Sequence, residues 1–473
     1  MKKSIIFFLL LLFIASASNA QEIKFEKTLE KAKQLSKEKK LPLALILNIN
    51  TPIEYFPENL RTSMDLNLKG LNDVEVAKKF NDHFIVCKID FSPIELDSNI
   101  NSLISTYRIS QFPAFVFIDS KGGLFYKDFG NSPTPQKYLD MLQKAIDASK
   151  QKSIVDYDNQ FKTGKYDAGF LKAYITKRME MGLFNNSVLI ELYVNFLRVV
   201  DLDDYNEVLF ILKAGPLYFG KAYKLAYVNK SIFDSIYKTE SIAVRSAINN
   251  SIIINSFEDA VASRSVTKAS MVSSFVRGTW TNDFREGSKQ ASLKMIQYYQ
   301  AVKDTNNYLQ QASYFYDQYF MNIGVDSIKK LDAINKEKMD QIFSMESKRA
   351  TNFDSIKNSS GKIVTSQAQS SSFSIRSGSS YATELNNAAW SFYQTGTKNT
   401  NYLTKALFWS KRSIEINPIA AYYDTLAHIL YLLGFYSEAE STQEKAVEMA
   451  KQAKMDVKKM QEDLNKMKQK TLL

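Results

Sequence analysis

Residues 107–119 read Tyr-Arg-Ile-Ser-Gln-Phe-Pro-Ala-Phe-Val-Phe-Ile-Asp, and this stretch decides how the first third of the chain is understood. Ala114 to Ile118 is an unbroken apolar run and reads as a strand. Ser120-Lys-Gly-Gly123 is a turn by composition, Leu124 to Phe129 is the return strand, and 135–149 closes with a helix. Working upstream, a helix ends near Tyr107. Before it, Phe84-Ile-Val-Cys-Lys-Ile-Asp90 alternates as a buried strand does, and Val74 to Phe80 is a short helix. Leu43 to Asn48 is continuously apolar, as expected of a strand covered on both faces. Residues 25–39 carry Phe25, Leu29, Ala32 and Leu35 at helical spacing with lysines opposite, which predicts a helix. Segment 21–150 is therefore expected to be an α/β domain.

Three stretches in the correct order resemble thioredoxin-like proteins. KLPLALILNIN (40–50) is similar to the entry into their first central strand. DVEVAKKFNDHFIVCKID (73–90) is similar to the helix and strand that end in an aspartate, and FPAFVFIDSKG (112–122) to the cis-proline, strand and turn. The resemblance implies a thioredoxin-like fold and a cis Phe112–Pro113 bond. It also implies that backbone beside Phe112 and Pro113 can pair with an extended peptide, a form of strand addition. The chain departs from the family where a Cys-x-x-Cys pair belongs. It has Asn50-Thr51-Pro52-Ile53-Glu54-Tyr55 there, then an insert to Gly70, and its one cysteine is Cys87. A dithiol within one molecule is excluded. Cys87 lies in a strand, where a small core hydrophobe is expected; a thiol acting alone would need exposure and a low pKa.

Composition narrows the function further. Lys2 and Lys3, the apolar run Ile5 to Ala15, and Ser18 and Ala20 before Gln21 read as a signal peptide over 1–20, with export to the periplasm or outside the cell. The run is shorter than the ~20 residues of a spanning helix. The whole chain carries +11, and +9 remains beyond the two leader lysines. Export argues against nucleic acid as the partner of this charge and leaves an acidic partner, a membrane surface or plain solubility. Only 16 Gly and 9 Pro in 473 residues predict long helices and few phosphate-cradling loops. There is no Walker loop, dinucleotide fingerprint or HExxH, and the only histidines are His83 and His428. No cofactor, metal or catalytic set is expected.

Segment 151–350 has helical aromatic stripes: Phe170, Leu171, Tyr174 and Ile175; Leu189, Leu192, Tyr193, Phe196 and Val200; Tyr308, Ala312, Phe315, Tyr319 and Phe320. They predict helical hairpins stacked as a solenoid. Residues 351–383 are rich in serine and are read as a linker between two separable units. From 384 onward, LNNAAWSFY with Ala406, Ser413 and Pro418 precedes YYDTLAHILYLLGFYSEAE with Gly434, Ala439 and Ala446. This pattern resembles two tetratricopeptide repeats. The resemblance implies a partner-binding face, with Trp390, Tyr393, Asp424, His428 and Tyr431 as candidate peptide contacts. The last helix, with Val447, Ala450, Val457, Leu464 and Met467, is expected to cap the array over 384–473. A basic helix lying on a membrane surface is its alternative. Three functions follow: a non-catalytic scaffold binding polypeptides, an oxidoreductase acting through Cys87 alone, or a hydrolase hidden in the helices.

Overall fold

The computed structural model describes residues 22–49, 68–91, 98–109, 111–334, 337 and 381–472. The expected leader, the stretch Thr51–Tyr55 and the serine-rich residues up to Ser380 lie outside the described residues. The chain forms two compact units. One runs to Tyr166 and includes Lys177–Leu183; the other holds Asp167–Thr176 and everything from Phe184 onward.

The first unit is built on a mixed sheet in the order β1-β3-β2-β4-β5. Its strands are β1 (Phe25–Glu26), β2 (Leu43–Ile49), β3 (Ile85–Phe91), β4 (Ala114–Ile118) and β5 (Leu124–Phe129). β1 and β2 both pair with β3 in parallel, whereas β4 runs antiparallel to β2 and β5. Helices α1 (Leu29–Lys39), α2 (Val74–His83), α3 (Ser98–Thr106), α4 (Gln136–Ser149) and α5 (Ile154–Lys162) complete it. Strand alternation divides the core in two. Leu43, Leu45, Leu47, Cys87 and Val116 pack with Ala32 and Tyr107, while Ala44, Ile46, Val86, Phe115 and Phe117 pack with Phe80 and Tyr138. A one-residue slip would exchange the two sets, so register is firmly held. The Phe112–Pro113 bond is cis. The helix expected over 25–39 is shorter. Phe25 pairs with Val86 in β1, and Thr28 starts the helix by accepting the Lys31 N–H at 3.2 Å.

The second unit is helical. It takes in the first turns of α6 (Ala168–Glu180) and continues with α7 (Ser187–Tyr193), α8 (Tyr205–Lys213), α9 (Lys221–Ala226), α10 (Lys230–Thr239), α11 (Ile242–Ala262), α12 (Val266–Gly278), α13 (Phe284–Ala301) and α14 (Thr305–Tyr316). Polar caps set the starts of these helices: Asn229, Ser241, Ser265, Asp283 and Asp304 each accept a first-turn N–H. The stripe Leu189 to Val200 is not one helical face. α7 stops at Tyr193, two short 3-10 turns follow, and Phe196 and Val200 are exposed. The stripe Tyr308 to Phe320 holds, with a π-helical turn over Asp317–Met321.

After the undescribed stretch come α15 (Tyr381–Gln394), α16 (Thr400–Ile416), α17 (Ala420–Leu432), α18 (Tyr436–Gln452) and α19 (Lys458–Lys468). The α17–α18 turn uses Gly434 at φ 86°, a conformation that side chains resist. The final helix is two helices. The chain turns at Lys454, whose φ is 54°, and α19 folds back with Leu464 and Met467 buried. Its apolar side is covered by the protein itself, which removes the basis for a membrane-surface helix. No described helix is long and apolar enough to cross a membrane. Tyr308, Phe315 and Phe320 share one core with Leu385, Phe392 and Trp409. Helices on both sides of the serine-rich stretch thus belong to one core, rather than to two separable bodies.

Candidate functional site at the last helical hairpins

Trp390 and Tyr393 lie one turn apart on α15, which puts them on the same face. Their rings stack at 4.8 Å with 27° between planes. From α17, the His428 ring meets both edge-on, at 5.2 Å to Trp390 and 5.0 Å to Tyr393. The three rings form a closed aromatic triangle. Asp424, one turn before His428, turns its carboxylate toward α18, where Gln443 Nε2 donates to Oδ1 at 2.6 Å. Four of the five candidates from the repeats therefore converge. Tyr431 does not join them. It packs in a core with Ala427, Leu430, Ala439 and Met467, and its ring meets Tyr436 at 5.0 Å.

The residue that completes the cluster is Asp463 of α19, only 5% exposed. Its Oδ2 lies 3.6 Å from His428 Nε2. Lys459 Nζ donates to its Oδ1 at 2.8 Å. His428 Nδ1 is 2.7 Å from the Asp424 backbone oxygen; that partner only accepts, so Nδ1 carries a proton. Gln443 also donates to the Met460 carbonyl at 3.1 Å, joining α18 to the start of α19, and its own Oε1 is buried without a partner among the described residues. Burial first, then the Asp463 carboxylate, push the Tyr393 phenol up, so it stays a neutral hydroxyl. His428 is 2% exposed. With α19 in place nothing from solvent reaches its ring, so the pair His428–Asp463 joins helices and does not present a base to a substrate. Sequence reading missed Asp463 and Gln443. The only signal was an aspartate among lysines in an otherwise basic helix.

In the first unit, Pro113 is buried and its carbonyl accepts the Gly130 N–H at 2.8 Å. That bond ties the start of β4 to the end of β5. Phe112 remains partly exposed and packs edge-on against Phe91 at 5.0 Å. Cys87 is 1% exposed, and burial, helped by Glu30 and Glu26, pushes its thiol up to about 11. Lys127 on β5 donates to the Tyr107 and Arg108 carbonyls at 3.0 and 3.1 Å, and burial with Arg108 nearby lowers it to about 8. Among the described residues no cluster of three or more His, Cys, Asp or Glu is arranged to hold a metal ion.

No family model matches the chain, and no curated protein matches it. A solved structure described as a DsbH oxidoreductase aligns with 27% of this chain and 87% of its own, at 18% identity and a TM-score of 0.22. The first unit is characterised by its own strand order.

Proposed function

We propose that this is an exported, non-catalytic polypeptide-binding protein. In this reading a thioredoxin-like unit without two-thiol chemistry precedes helical hairpins that end in tetratricopeptide-like repeats. The observation that carries the proposal is the seat of α19. The face made by Trp390, Tyr393 and His428 already meets a helix, which brings one carboxylate, Asp463, to His428, while the same helix buries Leu464 and seats Met467 in the neighbouring core with Tyr431. A surface that accepts a helix of this chain has the chemistry to accept a similar segment of another. The thioredoxin-like reading is supported by the strand order and by Pro113 standing just ahead of β4. Export rests on Lys2, Lys3 and the apolar run that follows. A single-thiol oxidoreductase is disfavoured by the burial and raised pKa of Cys87.

The test is site-specific photo-crosslinking in cells. A photoreactive residue is placed at Tyr393, at Phe112, or at exposed Glu415 as control, in the full chain and in one ending at Ala453. Adducts with a polypeptide at Tyr393, stronger in the shortened chain and absent at Glu415, are expected. No adduct from either chain, or equal adducts at Glu415, would overturn the proposal. So would insulin reduction that Cys87→Ser abolishes.

A further inference from the structure

Between Tyr218 and Phe275, remote in sequence from the cluster above, seven aromatic residues, Phe219 among them, line an open cleft of about 1000 Å³. Tyr218, Tyr223, Tyr227, Phe233, Tyr237 and Phe275 meet one another at centroid distances from 4.7 to 6.0 Å. They come from the turn before α9, from α9 and α10, and from α12. The stretch Tyr218 to Tyr237 is dense in aromatics, yet several of these rings border the cleft rather than closing it. Tyr227 stays 45% exposed at the rim, and Ile242 72%. Cores normally bury such side chains.

The polar lining has one sign. Arg245 of α11 reaches the cleft, and its Nη1 donates to the Tyr237 carbonyl at 2.8 Å. Its Nε is shut from water without a partner, and among the described residues no carboxylate pairs with this guanidinium. A guanidinium has five donors; with Nε enclosed and Nη1 donating once to Tyr237, the remaining Nη donors are those that can meet a ligand. Exposed Lys224 adds a second positive charge at the wall, and no acidic residue lines the cleft. Asn249 is occupied by the Tyr237 hydroxyl, which donates to its Oδ1 at 2.7 Å. Burial pushes the Tyr223 and Tyr237 phenols up, so they add no negative charge.

We propose that this cleft binds a small aromatic monoanion, a carboxylate or sulfonate on a flat apolar body, with the rings holding the body and Arg245 the anion. The size lies at the upper end of small-ligand sites, ~300–1,000 Å³, and matches their pattern of apolar walls with few placed polar groups. A cationic ligand would gain from the rings but would meet Arg245 and Lys224 in the same space. A neutral one would leave the guanidinium without its counter-charge.

The full chain is titrated with 1-anilinonaphthalene-8-sulfonate and with N-phenyl-1-naphthylamine, which has the same rings and no sulfonate. The sulfonate should saturate at one per chain and bind about ten-fold more tightly than the neutral probe, the gain of one charge-assisted contact. Arg245→Gln should remove that preference without weakening the neutral probe, and Arg245→Lys should keep most of it. Ser274→Trp, at an exposed position on the cleft wall, should weaken both. Thermal melts identify any variant that does not fold; if Arg245→Gln is one, Arg245→Lys and Ser274→Trp decide. Equal binding of the two probes, no saturable site, or sulfonate binding unchanged by Ser274→Trp would overturn the proposal.

Discussion

Cys87 on β3 and the half-buried Lys127 on β5 belong to one sheet, with β2 and β4 between them, and their pKa shifts act on stability with opposite signs. The Cys87 thiol is raised from 9.0 to about 11. Between those values the unfolded chain loses a proton that the folded chain keeps, so stability is full below about pH 9 and declines toward pH 11. Lys127 is lowered from 10.5 to about 8. Below pH 8 the folded protein carries the whole cost of a buried ammonium, and that cost is relieved as pH rises from 8 to 10.5. Urea midpoints at pH 7.5, 9 and 10 should separate the two groups. Relative to the parent, Cys87→Ala should gain stability from pH 9 to 10, and Lys127→Met should lose the rise that begins near pH 8. Parallel curves for all three proteins would contradict both assignments. The native thiol should also resist Ellman's reagent at pH 8 and react at once in denaturant. A thiol that reacts as fast in the folded protein would return the single-cysteine oxidoreductase to consideration.

α19 shows what an element contributes beyond its own helicity. It is polar over most of its surface and buries only Asp463, Leu464 and Met467. Met467 is fully buried beside Tyr431 and Leu472. Met467→Ala should cost about 2–5 kcal/mol, the usual range for a truncation that leaves a cavity. A melting temperature unchanged by that substitution would mean α19 is not seated as described. Elements such as this also mark where sequence reading succeeded and stopped. Strands β2 to β5 were legible because each is an apolar run bounded by turn residues, and Pro113 pointed to the way into β4. The two-residue β1 was hidden because Phe25 has the same spacing to Leu29 whether it extends a helix or pairs with Val86. Four of the five repeat candidates converge because helical spacing put Trp390 with Tyr393 and Asp424 with His428. Asp463 stayed invisible because its role depends on the turn at Lys454, which no local pattern announces. The cleft at Arg245 was equally hidden: aromatic density predicts a core, and only the packing reveals that one side was left open.

At the scale of the helical unit, the serine-rich stretch interrupts the sequence but not the packing. Tyr308, Phe315, Tyr316 and Phe320 precede it; Leu385, Phe392 and Trp409 follow it; all are in one buried cluster. The Asp317 carboxylate spans the same boundary, accepting from Lys405 and from Trp409 Nε1, the latter at 3.1 Å. Trp409 is fully buried against Tyr316 and Phe392, with ring centroids 5.1 and 4.8 Å away. Each such side chain contributes roughly 1.5–3 kcal/mol by its burial, so the fragments on either side should remain associated when the chain between them is cut. A specific protease site inserted between Ser366 and Gln367 tests this. After complete cleavage the two fragments should elute together as one species with unchanged helical content. Trp409→Ala in the cleaved protein removes the ring at the centre of the shared core, at a cost of about 3–5 kcal/mol, and should let the fragments part or aggregate. The fragment from Tyr381 onward, made alone, should be less helical than within the complex, because Leu385, Phe392 and Trp409 would face water. Two separate, fully helical peaks after cleavage would instead establish independent domains, and the binding face at Trp390 and His428 would then have to be understood apart from the helices before it.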